Sequence, residues 1–107
     1  MLINYLNCIN LQVNDVIIDV GFGFGKTIEH NYELLKNLQL FESLDAPILA
    51  GISRKSMLYN PLKITPSMAL NATTSANTIA LLNGANILRV HDVKEAMEAI
   101  KIVAQLS

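Results

Sequence analysis

Asp19 interrupts the apolar run Val16-Ile17-Ile18-Asp19-Val20, and Arg89 and His91 close the run Ile87-Leu88-Arg89-Val90-His91. Between them in the chain, Ser53-Arg54-Lys55-Ser56 directly follows the apolar Pro47-Ile48-Leu49-Ala50-Gly51-Ile52. A carboxylate such as Asp19 can accept two adjacent N–H groups of a heterocycle. Arg89 offers a rigid fork of donors and His91 a tunable one, and alternation along a strand points both to the same side, as an anion clamp requires. Each residue also has a plainer reading. Asp19 could cap a turn or helix, Lys55 could be an ordinary loop lysine, and Arg89 could pair with Asp92 while His91 caps a helix. No Ser-His-Asp or Cys-His arrangement stands in the chain, and no residue is assigned as a catalytic nucleophile or base.

The loop Gly21-Phe22-Gly23-Phe24-Gly25-Lys26 resembles a phosphate loop but does not fit one. A Walker A motif needs glycine where Val20 stands, and the dinucleotide fingerprint needs glycine where Lys26 stands. The glycines are better read as letting backbone approach a flat ligand, with Phe22 or Phe24 as a stacking face.

These residues are spaced by a unit that occurs three times: apolar strand, polar or glycine-rich turn, amphipathic helix. Strands are expected over 16–20, 47–52 and 87–91, the first apolar on both faces apart from Asp19, as a parallel strand covered on both sides is. The first helix is expected from 27 or 30 to about 43, with Leu34, Leu35, Leu38 and Phe41 as its stripe. After the Ser53–Ser56 cluster the chain reads as irregular until Thr65-Pro66. Thr as N-cap and Pro at the first helical position then start a helix to about Asn83, with Gly84 just past its end. Asp92 and Glu95 form a capping-box-like pair for a last helix that buries Val93, Ala96, Met97, Ile100 and Val103. Repeated strand–helix units mean an α/β fold with a parallel sheet and right-handed crossovers. Ligands of such folds gather at the carboxyl ends of the strands, which is where all the singled-out polar residues fall. Three units leave two bare sheet edges, so the chain is either a small open sheet or part of something larger.

Composition narrows the function classes. The chain is 51% hydrophobic and 16% charged with a net charge of −1, which is neither disordered nor basic enough to favour nucleic acid. No apolar run approaches a membrane span, and the first residues do not read as a secretory signal, so a cytoplasmic protein is expected. The one cysteine, Cys8, reads as a buried apolar residue, His30 as a solvated one, and Met57, Met68 and Met97 as packing residues.

Three segments, IIDVGFGFGKT, PILAGISRKSM and ILRVHDVKEA, in that order, resemble the last three βα units of dihydropteroate synthase. The Ser-Arg-Lys-Ser and Arg-Val-His-Asp-Val stretches carry the resemblance most specifically. It covers the chain from about Asp15 onward and implies that residues 1–107 form the C-terminal part of a pterin-binding (β/α)8 TIM barrel. The residues before Asp15 would be the tail of the preceding helix and its turn. The implied reaction joins p-aminobenzoate to 6-hydroxymethyl-7,8-dihydropterin diphosphate, giving 7,8-dihydropteroate and diphosphate, the folate-pathway step blocked by sulfonamides. It implies pterin contacts from Asp19, Gly23 and Lys55, and p-aminobenzoate contacts from Phe24, Lys55 and Ser56. Arg89 and His91 would hold the diphosphate. The resemblance also implies Mg2+ bound by a residue outside this chain, and a homodimer built from helices of this region.

Two departures stand out. The family usually reads Asp-Pro-Gly where this chain has Asp19-Val20-Gly21, and about five of the eight βα units are missing. The chain alone is therefore expected to be inactive. Two further readings stay open: a non-catalytic self-associating barrel fragment, and a pterin-dependent methyltransferase barrel, which a cobalamin requirement would support.

Overall fold

The computed structural model describes residues 17–106. Cys8, the start of the first strand and the turn before Asp15 lie outside them. Three short parallel strands form one sheet in the order β1 (Ile18–Asp19), β2 (Ile48–Ala50), β3 (Ile87–Leu88). Around them lie the helices α1 (Ile28–Lys36), α2 (Ser56–Leu62), α3 (Leu70–Leu82) and α4 (Val93–Ala104). The fold is α/β with three consecutive parallel βα units, as expected. The strands are shorter than their apolar runs: Val20, Gly51 and Ile52, and Arg89 to His91 lie past the ends of β1, β2 and β3.

Side-chain alternation divides the sheet into two faces. Ile48, Ala50 and Ile52 pack with Leu35, Leu38, Met57, Leu58, Ala76 and Ala80 in one core, joined at its margin by Val20 and Leu88. The register pairs Asp19 with Leu49 and Leu49 with Ile87. Asp19, Leu49, Gly51 and Arg89 therefore share the opposite face. β2 is buried on both faces, Leu49 on the Asp19 side included, and the main core lies on the helix side.

The first helix is split. After Lys36 the chain passes through Asn37 into a 3₁₀ helix, Leu38–Leu44. The Asn37 side chain bonds the Glu33 carbonyl at 2.9 Å, a local competition with helix propagation. The apolar stripe survives the split, with Leu35 and Leu38 buried and Leu34 and Phe41 packed beside them. Thr27 caps α1 through a 3.1 Å bond from the His30 N–H, and His30 itself is exposed.

The stretch expected to be irregular contains α2, despite Pro61 in its last turn. Proline has no N–H for the Met57 carbonyl four residues earlier. The Tyr32 hydroxyl donates to that carbonyl instead, at 2.7 Å. Thr65-Pro66 starts only a single 3₁₀ turn, Pro66–Met68, with the Thr65 hydroxyl turned to Ser67 at 2.9 Å; α3 begins after it. Gly84 ends α3 as expected, at φ +110°. The Gly84 N–H reaches the Leu81 carbonyl and the Ala85 N–H the Ala80 carbonyl, which is a Schellman closure.

The last helix departs most from its pattern. Ala96 and Ala99 are its buried residues, whereas Val93 is 64% exposed and Met97 and Ile100 are exposed as well. Its main neighbour is α3, and two helices in contact along small residues bury a narrow stripe. Asp92 precedes the helix but its side chain caps no helix N–H, so the capping box with Glu95 does not form. Met57 is buried as expected, while Met68 is exposed.

Tyr32→Phe is expected to lower stability by about 0.5–1.5 kcal/mol by orphaning the Met57 carbonyl. Adding Pro61→Ala should restore most of the loss, because the new N–H can close the helix. Urea unfolding of the two single variants and the double variant checks this.

Candidate functional site

The site lies at the carboxyl ends of the three strands. Arg89 follows β3, and its backbone N–H extends the ladder to the Ala50 carbonyl at 3.1 Å. Its side chain crosses the middle strand and donates from Nη1 to Asp19 Oδ2 at 2.9 Å. The crossing passes over Gly51. A Cβ built there would lie 2.4 Å from Nη2 and 2.8 Å from Cζ. No side chain fits under the guanidinium, which explains a glycine in an otherwise apolar strand. The Asp19 side chain is only 2% exposed. Its other oxygen, Oδ1, accepts the Gly21 N–H at 3.0 Å, so Asp19 also closes the turn that follows its strand.

The glycine loop is held by side chains. Besides the Gly21 N–H, the Gly23 N–H is bonded to Asn31 Oδ1 at 2.9 Å, and the Phe24 N–H turns back to the Gly21 carbonyl. Lys26 Nζ donates to the Gly21 carbonyl at 3.0 Å, and Lys55 Nζ donates to the Phe22 carbonyl. A phosphate cradle requires free N–H groups, and here three are committed. The loop sorts its two aromatics: Phe22 is 1% exposed in the core, whereas Phe24 is 66% exposed with Lys55 Nζ 5.2 Å above its ring. Asn31, buried on α1, had no distinguishing signal in the sequence; it also bonds the Thr27 carbonyl through Nδ2.

Ser53 and Arg54 grip the loop after β3. Ser53 Oγ accepts the His91 N–H at 3.2 Å and lies 2.8 Å from His91 Nδ1. Arg54 makes a two-pronged pair with Asp92, Nε to Oδ2 at 3.0 Å and Nη2 to Oδ1 at 2.9 Å. Its Nη1 reaches the Pro66 carbonyl at 2.7 Å, and its backbone N–H reaches Thr73 Oγ1. These contacts hold Arg54 at φ +56°, a left-handed conformation unusual for a side-chain-bearing residue. Arg54 is thus a tie between loops, not a free cation of the site. The alternative pairing of Asp92 with Arg89 does not occur. Beside Arg54, the Asp92 carboxyl is held below the usual carboxylate range.

Two adjoining cavities open here. One, of about 260 Å³, is lined by Gly51, Ser53, Lys55, Arg89, Val90 and His91. The other, of about 320 Å³, is bordered by Phe24, Lys55, Ser56 and Tyr59 among others. A larger hollow of about 430 Å³ lies around Glu42, Asp45 and Gly84, at the opposite end of the strands and away from the cations. Lys55 borders both of the first two cavities. Burial pulls its ammonium below the ordinary lysine value of 10.5, with the Arg89 charge adding to the effect and Asp19 opposing it. Of the singled-out residues, Gly23, Phe24, Lys55, Ser56, Arg89 and His91 border these two cavities, and Asp19, which lines neither, is joined to them by its bond to Arg89.

Gly51→Ala is expected to push the guanidinium off Asp19 and lower stability by about 1–3 kcal/mol, the cost of an unsatisfied buried polar group. In an Arg89→Ala background the same change should cost far less. A double-mutant cycle by urea unfolding tests this, and additive losses would contradict it.

Comparison with known proteins gives the family. The family described as "Pterin binding enzyme" matches residues 3–91. The dihydropteroate synthase of Escherichia coli is 47% identical over 88 residues, covering 82% of this chain and 31% of that protein. A Yersinia pestis dihydropteroate synthase solved in complex with a sulfonamide drug superposes with a TM-score of 0.89 at 40% identity, covering 94% of this chain and 38% of the other. The Coxiella burnetii dihydropteroate synthase solved with pteroic acid gives 0.88 at 38% identity, over 94% of this chain and 38% of its own. The chain therefore spans about a third of the length of the E. coli relative, and its three βα units correspond to part of a barrel. With the family match extending over most of the sequence, the chain is a member of the pterin binding enzyme family.

Proposed function

We propose that residues 1–107 are the C-terminal part of a dihydropteroate synthase barrel, supplying one side of its active site. The reaction joins p-aminobenzoate to 6-hydroxymethyl-7,8-dihydropterin diphosphate. The methylene C–O bond breaks with its electron pair leaving on diphosphate, the aromatic amine forms the new C–N bond, and the amine loses a proton. The observation that carries this reading is Lys55, standing between a cavity lined by Arg89 and His91 and a cavity lined by Phe24 and Ser56. Two reactants that must form a bond need adjoining subsites, and Lys55 borders both cavities.

Each residue has a role its surroundings support. Asp19 accepts pterin N–H groups through the second lone pairs of oxygens already aimed by Gly21 and Arg89. Gly23 lets the loop lie close to the ring system, and the Lys55 ammonium bonds the pterin. Phe24 packs against the p-aminobenzoate ring and Ser56 holds its carboxylate. Arg89 engages Asp19 through Nη1 alone and keeps further donors for the diphosphate, which His91 shares. Fixed cations where negative charge develops lower the barrier without a protein nucleophile. A residue outside this chain is taken to carry the family's Mg2+. The described residues hold no group of three His, Cys, Asp or Glu side chains placed to ligate a metal. No step is routed through the ion.

No helix among the described residues is long and apolar enough to cross a membrane. We place the reaction in the cytoplasm, since a diphosphate ester does not cross a bilayer unaided.

The test titrates pteroic acid and inorganic diphosphate into the chain. Amide shifts are expected at Gly23, Phe24, Lys55 and Ser56 for the first and at Arg89 and His91 for the second. Lys55→Met should weaken pteroic acid about tenfold, the loss of one charged hydrogen bond. A chain that ignores both ligands would sink the site assignment, and turnover by the chain alone would refute its expected inactivity.

A second reading has its own observation. Val93, Met97 and Ile100, on one side of α4, are 64%, 45% and 37% exposed, an apolar surface suited to a second copy. Sedimentation should show concentration-dependent self-association. A monomer at high concentration would contradict it.

A further inference from the structure

We infer that Ser53 is a positioning residue: its hydroxyl holds His91 with Nδ1 turned inward and Nε2 facing the anion cavity. The inference rests on the reading of that cavity as a diphosphate site. Ser53 belongs to no ligand contact argued above. It is buried, whereas His91 is exposed. Its single oxygen meets His91 twice, at the backbone N–H (3.2 Å) and at the ring Nδ1 (2.8 Å).

The hydrogen count decides the tautomer. The His91 backbone N–H occupies one lone pair of Oγ. The hydroxyl proton then has Nδ1 as its acceptor, and the described contacts offer Oγ no other. With Nδ1 accepting, the neutral ring carries its proton on Nε2. If the ring gains a proton, Nδ1–H donates to the remaining lone pair as the hydroxyl rotates, and Nε2–H still faces outward. Ser53 thus presents a donor toward the cavity in either state.

The neighbouring residues keep this grip in place. Arg54, next to Ser53, clamps Asp92, next to His91. Consecutive residues after β2 therefore hold consecutive residues after β3, continuing the ladder with side chains where the backbone bonds stop. The other groups facing His91 across the cavity, Arg89 and Lys55, are cations and offer its ring no acceptor.

The experiment uses the full chain, inorganic diphosphate as the probe, and long-range 1H–15N spectra of the His91 ring. In the native chain, with the ring neutral, Nε2 should carry the proton and Nδ1 should show the shift of a hydrogen-bonded acceptor. Ser53→Ala should remove that signature and weaken diphosphate on the order of 3–10-fold, the range of one net hydrogen bond. Ser53→Thr, which keeps the hydroxyl, should restore both. In a His91→Ala background, Ser53→Ala should change diphosphate affinity less than about twofold, since coupled residues lose their effect together. An equal loss in that background, or a neutral ring with its proton on Nδ1, would overturn the inference. A native chain that shows no diphosphate binding overturns the anion-site reading instead; the ring spectra then still report whether Ser53 holds His91.

Discussion

The site depends on a salt bridge that crosses a strand it does not belong to. Asp19 and Arg89 stand on the outer strands of the sheet, separated by β2, and meet only because residue 51 has no side chain. The parallel register sets the three positions on one face, and the missing Cβ opens the passage. A buried carboxylate is tolerated when it is paired and hydrogen-bonded, and Asp19 is both. The bridge places a cation and an anion side by side at the mouth, where a ligand with a polar ring and a phosphorylated tail could engage both.

A second layer fixes the backbone. The glycine-rich loop has few side chains of its own to hold it, so others do so: Asn31 from α1, Lys26 from the loop's end, Lys55 from the next unit. The conformational freedom of glycine is an entropic cost that such bonds offset. The loops after β2 and β3 hold each other in the same manner, through Ser53 with His91 and Arg54 with Asp92. Each loop is therefore anchored by a residue from another unit, although the strands are only two or three residues long.

Much of this was legible in the sequence. Polar residues at the ends of three apolar runs announced the site, since buried parallel strands otherwise have no reason to carry Asp19, Arg89 or His91. The Gly84 stop followed from local backbone chemistry alone. The features that escaped depend on distant partners. Arg54 looked like one more site cation until Asp92, 38 residues away, claimed it. The claim on Asp92 also removed the expected helix cap. Pro61 argued against a helix until Tyr32, 25 residues upstream, supplied the missing donor. Phe22 and Phe24 have the same type and neighbours, and only the folded core separates them. Periodicity marked the large apolar stripe of α4 for burial, whereas the alanines are what pack against α3. Gly51 did leave a signal, a glycine among apolar strand residues, but its meaning required the register.

The position of Lys55 makes the two chambers thermodynamically linked. An anionic group entering either one favours the charged ammonium, which burial otherwise disfavours. Lys55 has one ammonium for two compartments, so an occupant that draws it to one side alters the wall of the other, and that coupling is reciprocal. Affinity measured for one compartment is thus conditional on what fills its neighbour, and a compound bridging both would combine contributions that separate halves report unevenly.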